Sequence, residues 1–228
     1  MTADFHGKPG FGYYEDIPRP PKAILERLAR YSTANLADGM NGFGAMDHQI
    51  KPVTPQRRLV GPAITVRVRP GDNLMVHRAI ALSKPGDVIV VSAGGQCLNA
   101  VWGELMTAAA AKAGIAGVVV DGAVRDVSKI AEYHLPIFAR GVIPCSCDKD
   151  GPGEINVPVA CGGVAVNPGD IVVGDDDGVV VIIPDLAGAI MAAADAKLLY
   201  EAQRIKEIRE GRISSAKIEE TLRNKGVS

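Results

Sequence analysis

Between residues 59 and 139, short apolar runs alternate with stretches of helical periodicity. In residues 59–68, Ile64, Val66 and Val68 alternate with Thr65 and Arg67, the two-residue period of a strand. Residues 87–91 and 117–121 are near-continuous apolar runs of strand length, and 136–139 closes the series. Between them, residues 74–82, the alanine-rich stretch 100–113 and residues 126–133 read as helices. Strands that are apolar on both faces and alternate with helices predict a βαβ layer, whose ligand crevice lies at the carboxyl ends of its strands.

The flanks differ in pattern. Pro21 suits a first helical turn, and Ile24, Leu25, Leu28 and Ala29 recur at helical spacing, predicting a helix over about 21–31 after the extended Pro-rich lead-in 17–21. A second helix should start at Ser32 or Thr33, both good caps, before a Gly-rich turn at 39–44. In the last third, 155–159, 163–166, 171–173 and 179–183 are short β runs separated by Gly, Pro and Asp. A long helix over about 186–210 follows, with Asp185 as cap and Gly211 as stop. Ile190, Ala194, Leu198 and Ile205 form its apolar stripe, with Glu201, Arg204 and Lys206 polar, so it covers its own core or reaches a neighbouring subunit.

Composition narrows the function classes. The 228 residues carry 25 Lys and Arg against 26 Asp and Glu and are 47% hydrophobic, the balance of one folded domain. Within it, 1–32 forms an extension with the first helix, and 185–228 a helical C-terminal segment. A net charge of -1 offers no general grip on nucleic acid or anionic lipid. The apolar runs fall far short of the roughly 20 residues a bilayer span needs, and residues 1–10 hold no apolar signal core, so a cytoplasmic protein is expected. Cys97, Cys145, Cys147 and Cys161 are too few for a disulfide scaffold, and Cys145-Ser146-Cys147 has no second ligand pair to close a zinc site.

Most candidate motifs dissolve under their own chemistry. Asp175-Asp176-Asp177-Gly178 lacks the alternating oxygens of a calcium loop and sits between two β runs, which predicts a hairpin turn. His48, His77 and His134 accompany no nucleophile elbow, so a hydrolase triad has no support. Gly94-Gly95 has neither a Walker lysine nor a dinucleotide fingerprint. One constellation survives: Arg125 and Asp126 follow the strand ending at Asp121, and the preceding strand leads through Gly94-Gly95 to Trp102-Gly103-Glu104. The two loops should be neighbours. A guanidinium fork, a hard oxygen ligand and a second carboxylate would then meet where a small 2-oxo acid and a divalent cation could bind. From spacing alone, Arg125 and Asp126 capping the next helix is an equally good account.

From about residue 33 to 211 the chain resembles the regulator of ribonuclease activity A family, which includes the class II 4-hydroxy-4-methyl-2-oxoglutarate and 4-carboxy-4-hydroxy-2-oxoadipate aldolases. The resemblance rests on Leu59-Val60-Gly61-Pro62-Ala63, Pro85-Gly86-Asp87-Val88, Trp102-Gly103-Glu104-Leu105 and the stretch 117–127. It continues in Phe138-Ala139-Arg140-Gly141, Asn156-Val157-Pro158-Val159 and Asn167-Pro168-Gly169-Asp170 with 175–178. It implies an α/β fold, an α/β/β sandwich of the swivelling phosphohistidine-domain type, assembled as homotrimers or homohexamers with sites at subunit interfaces. The aldolases have an acidic residue, twenty intervening residues, then Arg-Asp, which falls here on Glu104, Arg125 and Asp126. By resemblance, Asp126 would bind Mg2+ or Mn2+ and Arg125 would hold the pyruvyl oxygens. The substrate carboxylate would meet the amides of Leu105 and Met106 after Gly103, at a helix start. A carboxylate supplied across the interface corresponds to Glu201. The chain departs from the pattern at Glu104, where the aldolases have Asp, and the extra methylene sets the carboxylate about 1.5 Å further out.

The expectation is a metal-dependent lyase that cleaves 4-hydroxy-2-oxo acids to pyruvate and also decarboxylates oxaloacetate, with Glu104 orienting the water that moves the proton. The rival expectations are a non-catalytic protein-binding regulator of the ribonuclease-inhibitor kind and a lyase or hydratase for another small oxo acid.

Overall fold

The computed structural model describes residues 4–227. A hairpin of β1 (Phe5–Lys8) and β2 (Phe11–Tyr14) leads to α1 (Lys22–Leu28), α2 (Thr33–Gly39) and the two-residue β3 (Lys51–Pro52). Next come β4 (Leu59–Val68), α3 (Leu74–Leu82), β5 (Val88–Ser92), β6 (Ala100–Trp102), α4 (Glu104–Ala113), β7 (Gly117–Val124), α5 (Val127–Ile130) and β8 (Ile137–Val142). The last third holds β9 (Gly153–Ile155), β10 (Val159–Cys161), β11 (Val164–Val166), β12 (Ile171–Asp175), β13 (Gly178–Ile182), α6 (Ala187–Arg209) and α7 (Ala216–Asn224).

The parallel strands β4, β5, β7 and β8 lie side by side, and β9 and β12 add antiparallel to β4. Because successive side chains point to opposite faces, each apolar run feeds two cores. Ile89, Val91, Val118 and Val120 face the layer of α3 and α4, whereas Val88, Val90 and Val119 face β10 to β13. Val172, Val179 and Val181 of the outer hairpin turn toward that second core, while Ile171, Val173, Val180 and Ile182 pack under α1, α2 and α6. Each fully buried Val or Ile contributes roughly 1.5–3 kcal/mol.

Several expectations need correction. Residues 100–113 are not one helix: Ala100–Trp102 is a strand, and α4 begins only after Gly103. The strand expected at 117–121 runs on to Val124, and its following helix is a single turn continued as a 3-10 turn to Tyr133. The run 155–159 is broken, since Asn156 takes a positive φ of 58° between β9 and β10. Asp185 does not cap the long helix, because a 3-10 turn over Pro184–Leu186 precedes it. A hairpin precedes the lead-in, and the C-terminal segment adds α7, neither of which was expected. The lead-in is held down by Arg19, whose guanidinium bonds both oxygens of the buried Asp87 at 2.9 and 2.7 Å. The Asp175 to Gly178 reading holds, as these residues pair across the tight turn of the β12–β13 hairpin.

Candidate active site

Pairing along β7 changes partner partway. Its first half pairs with β5 as far as Ser92 opposite Asp121, and its end pairs with β6, Ala100 opposite Ala123 and Trp102 opposite Val124. The Arg125 amide then donates to the Trp102 carbonyl at 3.0 Å, which carries Arg125-Asp126 alongside Gly103-Glu104. The start of α4 is fixed from inside. Trp102, 1% exposed, donates its indole N–H to Thr107 Oγ1 at 2.8 Å, and that hydroxyl donates to the Gly103 carbonyl at 3.0 Å.

Asp126 occupies the cap position of α5 in the left-handed region, φ 58°, but its side chain makes no capping bond. Its Oδ2 instead accepts from the Glu104 amide at 3.2 Å and lies 3.4 Å from Arg125 Nε. The carboxylate therefore does not cap its own helix but meets the first amide of α4. A non-glycine residue held in this backbone region stores modest strain, as functional positions often do. The amides of Leu105 and Met106 belong to the first turn of α4, where no intrahelical acceptor is in reach, and they point their partial positive charge the same way.

Gly103 has a packing reason to be glycine. A Cβ there would stand 2.8 Å from Asp126 Oδ2 and 3.2 Å from Arg125 Cγ. Its backbone is extended, so conformation is not the constraint. Gly103→Ala should keep the fold yet displace both side chains, with activity falling toward 10²-fold, as misplacement of about 1 Å can produce. Steady-state kinetics beside a thermal melt checks this, and unchanged kcat/KM would separate Gly103 from the site.

These groups open onto a cavity of about 370 Å3 lined by Gly103, Glu104, Leu105, Met106, Arg125 and Asp126, so six of the seven expected site residues are brought together. Glu201 is not among them. On α6 it lies 3.4 Å from Asn35 Nδ2 and 3.8 Å from Lys197 Nζ. The rest of the lining was missed by sequence reasoning: Asn73, His77, Ser146, Cys147 and Lys149. These residues follow the carboxyl ends of β4 and β8, the place where α/β sheets build sites, and that rule applied to every strand would have pointed to them. The fully buried Asp72 holds this wall, accepting from the amides of Leu74, Asp150 and Gly151 at 2.9, 2.7 and 2.8 Å. Burial, with the Lys149 charge adding to it, holds His77 below the usual imidazole value, so the ring is neutral at pH 7.

The donor set fits a hydrated divalent cation. Among the described residues no three His, Cys, Asp or Glu side chains gather into a closed cage. Asp126 offers a hard carboxylate, part-exposed at 39%, which suits Mg2+ bound through one or two carboxylates with water completing its shell.

The Aldolase/RraA family model matches residues 33–181. The chain belongs to this RraA-like family. A Halalkalibacterium halodurans protein provisionally named 4-hydroxy-4-methyl-2-oxoglutarate aldolase is 43% identical over 159 residues, covering 70% of this chain and 76% of the relative. Among solved structures, Streptomyces coelicolor RraAS2, described as an unusual member of the RNase ES inhibitor RraA protein family, superposes with a TM-score of 0.75 at 31% identity. That match covers 82% of this chain and 98% of the other. The RNA-processing inhibitor RraA from Thermus thermophilis gives 0.62 at 32% identity, covering 66% and 92%. The RraA-like fold thus carries both aldolase-named and inhibitor-named relatives. No helix among the described residues is long and apolar enough to cross a membrane.

Proposed function

We propose that this RraA-like chain is a divalent-cation-dependent lyase of pyruvyl substrates. It cleaves 4-hydroxy-2-oxo acids of the 4-hydroxy-4-methyl-2-oxoglutarate kind to pyruvate and decarboxylates oxaloacetate through the same enolate. The observation that carries this reading is the convergence of the Arg125 guanidinium, the Asp126 carboxylate and the first turn of α4 on one cavity.

Asp126, with Glu104 beside it, is the residue that would hold Mg2+ or Mn2+. Bound there, the cation would supply Lewis-acid polarisation of the substrate's C2 oxygen and C1 carboxylate. The planar fork of Arg125 grips the pyruvyl oxygens and shares the negative charge that gathers on the C2 oxygen as the C3–C4 bond breaks. The amides of Leu105 and Met106 take a carboxylate oxygen at the positive end of α4. Glu104 orients the water that takes the hydroxyl proton and returns a proton to C3. Lys149, which also lines the cavity, offers a counter-charge to the second carboxylate of a dicarboxylic substrate.

A second reading, a protein-binding regulator, is favoured by the inhibitor-named relatives. A regulator working through its surface does not need Arg125 and Asp126 converged on a cavity. The deciding experiment is pyruvate release from a panel of 4-hydroxy-2-oxo acids and oxaloacetate. Chelator should abolish turnover, and added Mg2+ or Mn2+ should restore it, because a cation held by one or two carboxylates dissociates readily. Full turnover in excess chelator removes the metal from the reading, and no pyruvate from any substrate favours the regulator.

A further inference from the structure

The Cys145-Ser146-Cys147 run closes no zinc site, yet it has a definite place in the structure. Cys147, half-buried, lines the Arg125 cavity, and Cys145, two residues earlier, is exposed and does not. The chain between them is extended, with Ser146 in a parallel bridge to Ala100 and Asp148 in another to Asp72. Extended backbone alternates its side chains, so both thiols lie on one side of it, about 6.6 Å apart. A disulfide needs Cβ atoms at roughly 3.5–4.5 Å, so joining these two requires Ser146 to leave its bridge. That bridge supports the site. The Cys145 carbonyl accepts from the Ala100 amide at 2.8 Å, and the Ser146 carbonyl from Asn99 Nδ2 at 2.6 Å. Ala100 opens β6, whose other edge pairs with β7 and sets Gly103 and the start of α4 beside Arg125. A displacement at 145–147 therefore reaches Arg125, Asp126 and α4 through a strand of only three residues.

Resting on the pyruvyl-lyase reading of the cavity, we propose that Cys145 and Cys147 are an oxidative modification site: a peroxide joins them in a disulfide that draws 145–147 off β6 and disables the lyase, and a thiol reductant restores it. Cys145, the exposed member, meets the oxidant first. Its thiolate attacks one peroxide oxygen, the O–O bond breaks, the departing hydroxide takes up the thiol's proton as water, and Cys145 carries S–OH. The Cys147 sulfur then displaces that hydroxyl: the S–S bond forms, the S–O bond breaks, and a second water leaves with the Cys147 proton. Two thiols lose two electrons and one peroxide becomes two waters. Burial holds the Cys147 thiol above its ordinary value, against the pull of Lys149, so it is the resolving thiol, and its nearness to Cys145 compensates. Burial likewise raises Cys97 and Cys161, which makes both slower targets. A disulfide that must break ladder bonds to form is readily reduced, as a reversible switch requires.

The test treats the reduced full-length protein with hydrogen peroxide, quenches with catalase, and reads intact mass, alkylated peptides, pyruvate formation and amide hydrogen exchange. The oxidised chain should lose two hydrogen masses and yield a peptide linking Cys145 to Cys147. Pyruvate formation should fall about tenfold or more and return with dithiothreitol. The Ala100 amide, freed from the Cys145 carbonyl, should exchange about tenfold faster or more. Cys145→Ser, at an exposed residue outside the cavity, should match the reduced wild type in turnover and keep that turnover through the same peroxide dose. The proposal is overturned if both thiols stay open to alkylation, if the disulfide forms with Ala100 exchange unchanged, or if Cys145→Ser is inactivated as fast as wild type. If the reduced wild type releases no pyruvate, the lyase reading fails by itself. The linked peptide and the Ala100 amide then still decide whether the pair is a modification site.

Discussion

Arg125→Lys should lower kcat/KM for pyruvate formation by about 10²- to 10³-fold while leaving the melting temperature unchanged. The substitution keeps one positive charge but loses the planar fork, and a single ammonium cannot hold two substrate oxygens in the plane where enolate charge develops. Stability should not follow. The Arg125 side chain is 42% exposed, and its ion pair with Asp126, at 3.4 Å, is of the surface kind that contributes little. Both kcat and KM should worsen, because the fork contacts ground-state oxygens as well as the developing charge. Wild-type kinetics in this variant would reduce Arg125 to a neighbour of Asp126 and return the chain to the regulator reading.

How much of this was legible depended on whether the signal was local. The strand Leu59–Val68 and the helix Leu74–Leu82 match the pattern residue for residue, since burial on one or both faces writes itself into periodicity. The hairpin of β1 and β2 carries no such run. Its support is tertiary: Phe5 and Tyr14 rings 5.1 Å apart across the strands, and parallel pairing of β2 with β9, more than 130 residues away. Ala100-Val101-Trp102 merged with the alanine run of α4 because apolar residues suit either state, and only Gly103 marked the break. The cap of α7 was readable, since Ser215 accepts from the Ile218 amide at 3.2 Å, but none of that helix is buried, so no core periodicity announced it.

The site divides the same way. Arg125 and Asp126 follow a strand with a strong apolar signal, Glu104 follows the short strand that merged with α4 in the pattern, and the family pattern names all three. Asn73 and Lys149 come from turns and His77 from the start of α3, and their meeting depends on one buried carboxylate, Asp72, and on the bridge between Asp72 and Asp148, which no local pattern encodes. Cys147 lines the cavity as well, so the Cys145-Ser146-Cys147 segment is part of a wall rather than an idle loop.

Glu201→Ala should abolish most turnover without touching stability, and a mixture of it with Arg125→Ala should recover activity. Within one chain Glu201 cannot serve the cavity it is expected to complete, because it faces Asn35 and Lys197 and does not line that cavity. If it acts on the reaction, it does so in a second copy. The shape of α6 supports this: its buried residues are Ala187, Ile190, Met191 and Ala194, and beyond them Leu198, Leu199, Tyr200, Ile205 and Ile208 are all exposed. A helix that covers its own core with its first two turns and carries apolar side chains past it is built to reach a neighbour. Removing this half-buried carboxylate, whose contacts at 3.4 and 3.8 Å are long, should change folding by no more than about 0.5 kcal/mol. When equal amounts of the two inactive variants are unfolded and refolded together, chance pairing sets an intact Arg125 opposite an intact Glu201 in about a quarter of interfaces of a closed ring. Recovery of roughly a quarter of wild-type activity is therefore expected, with the hybrid migrating as an oligomer on sizing. A fully active monomer, or mixed oligomers with no recovery, would show that Glu201 acts only in holding α6 to α2.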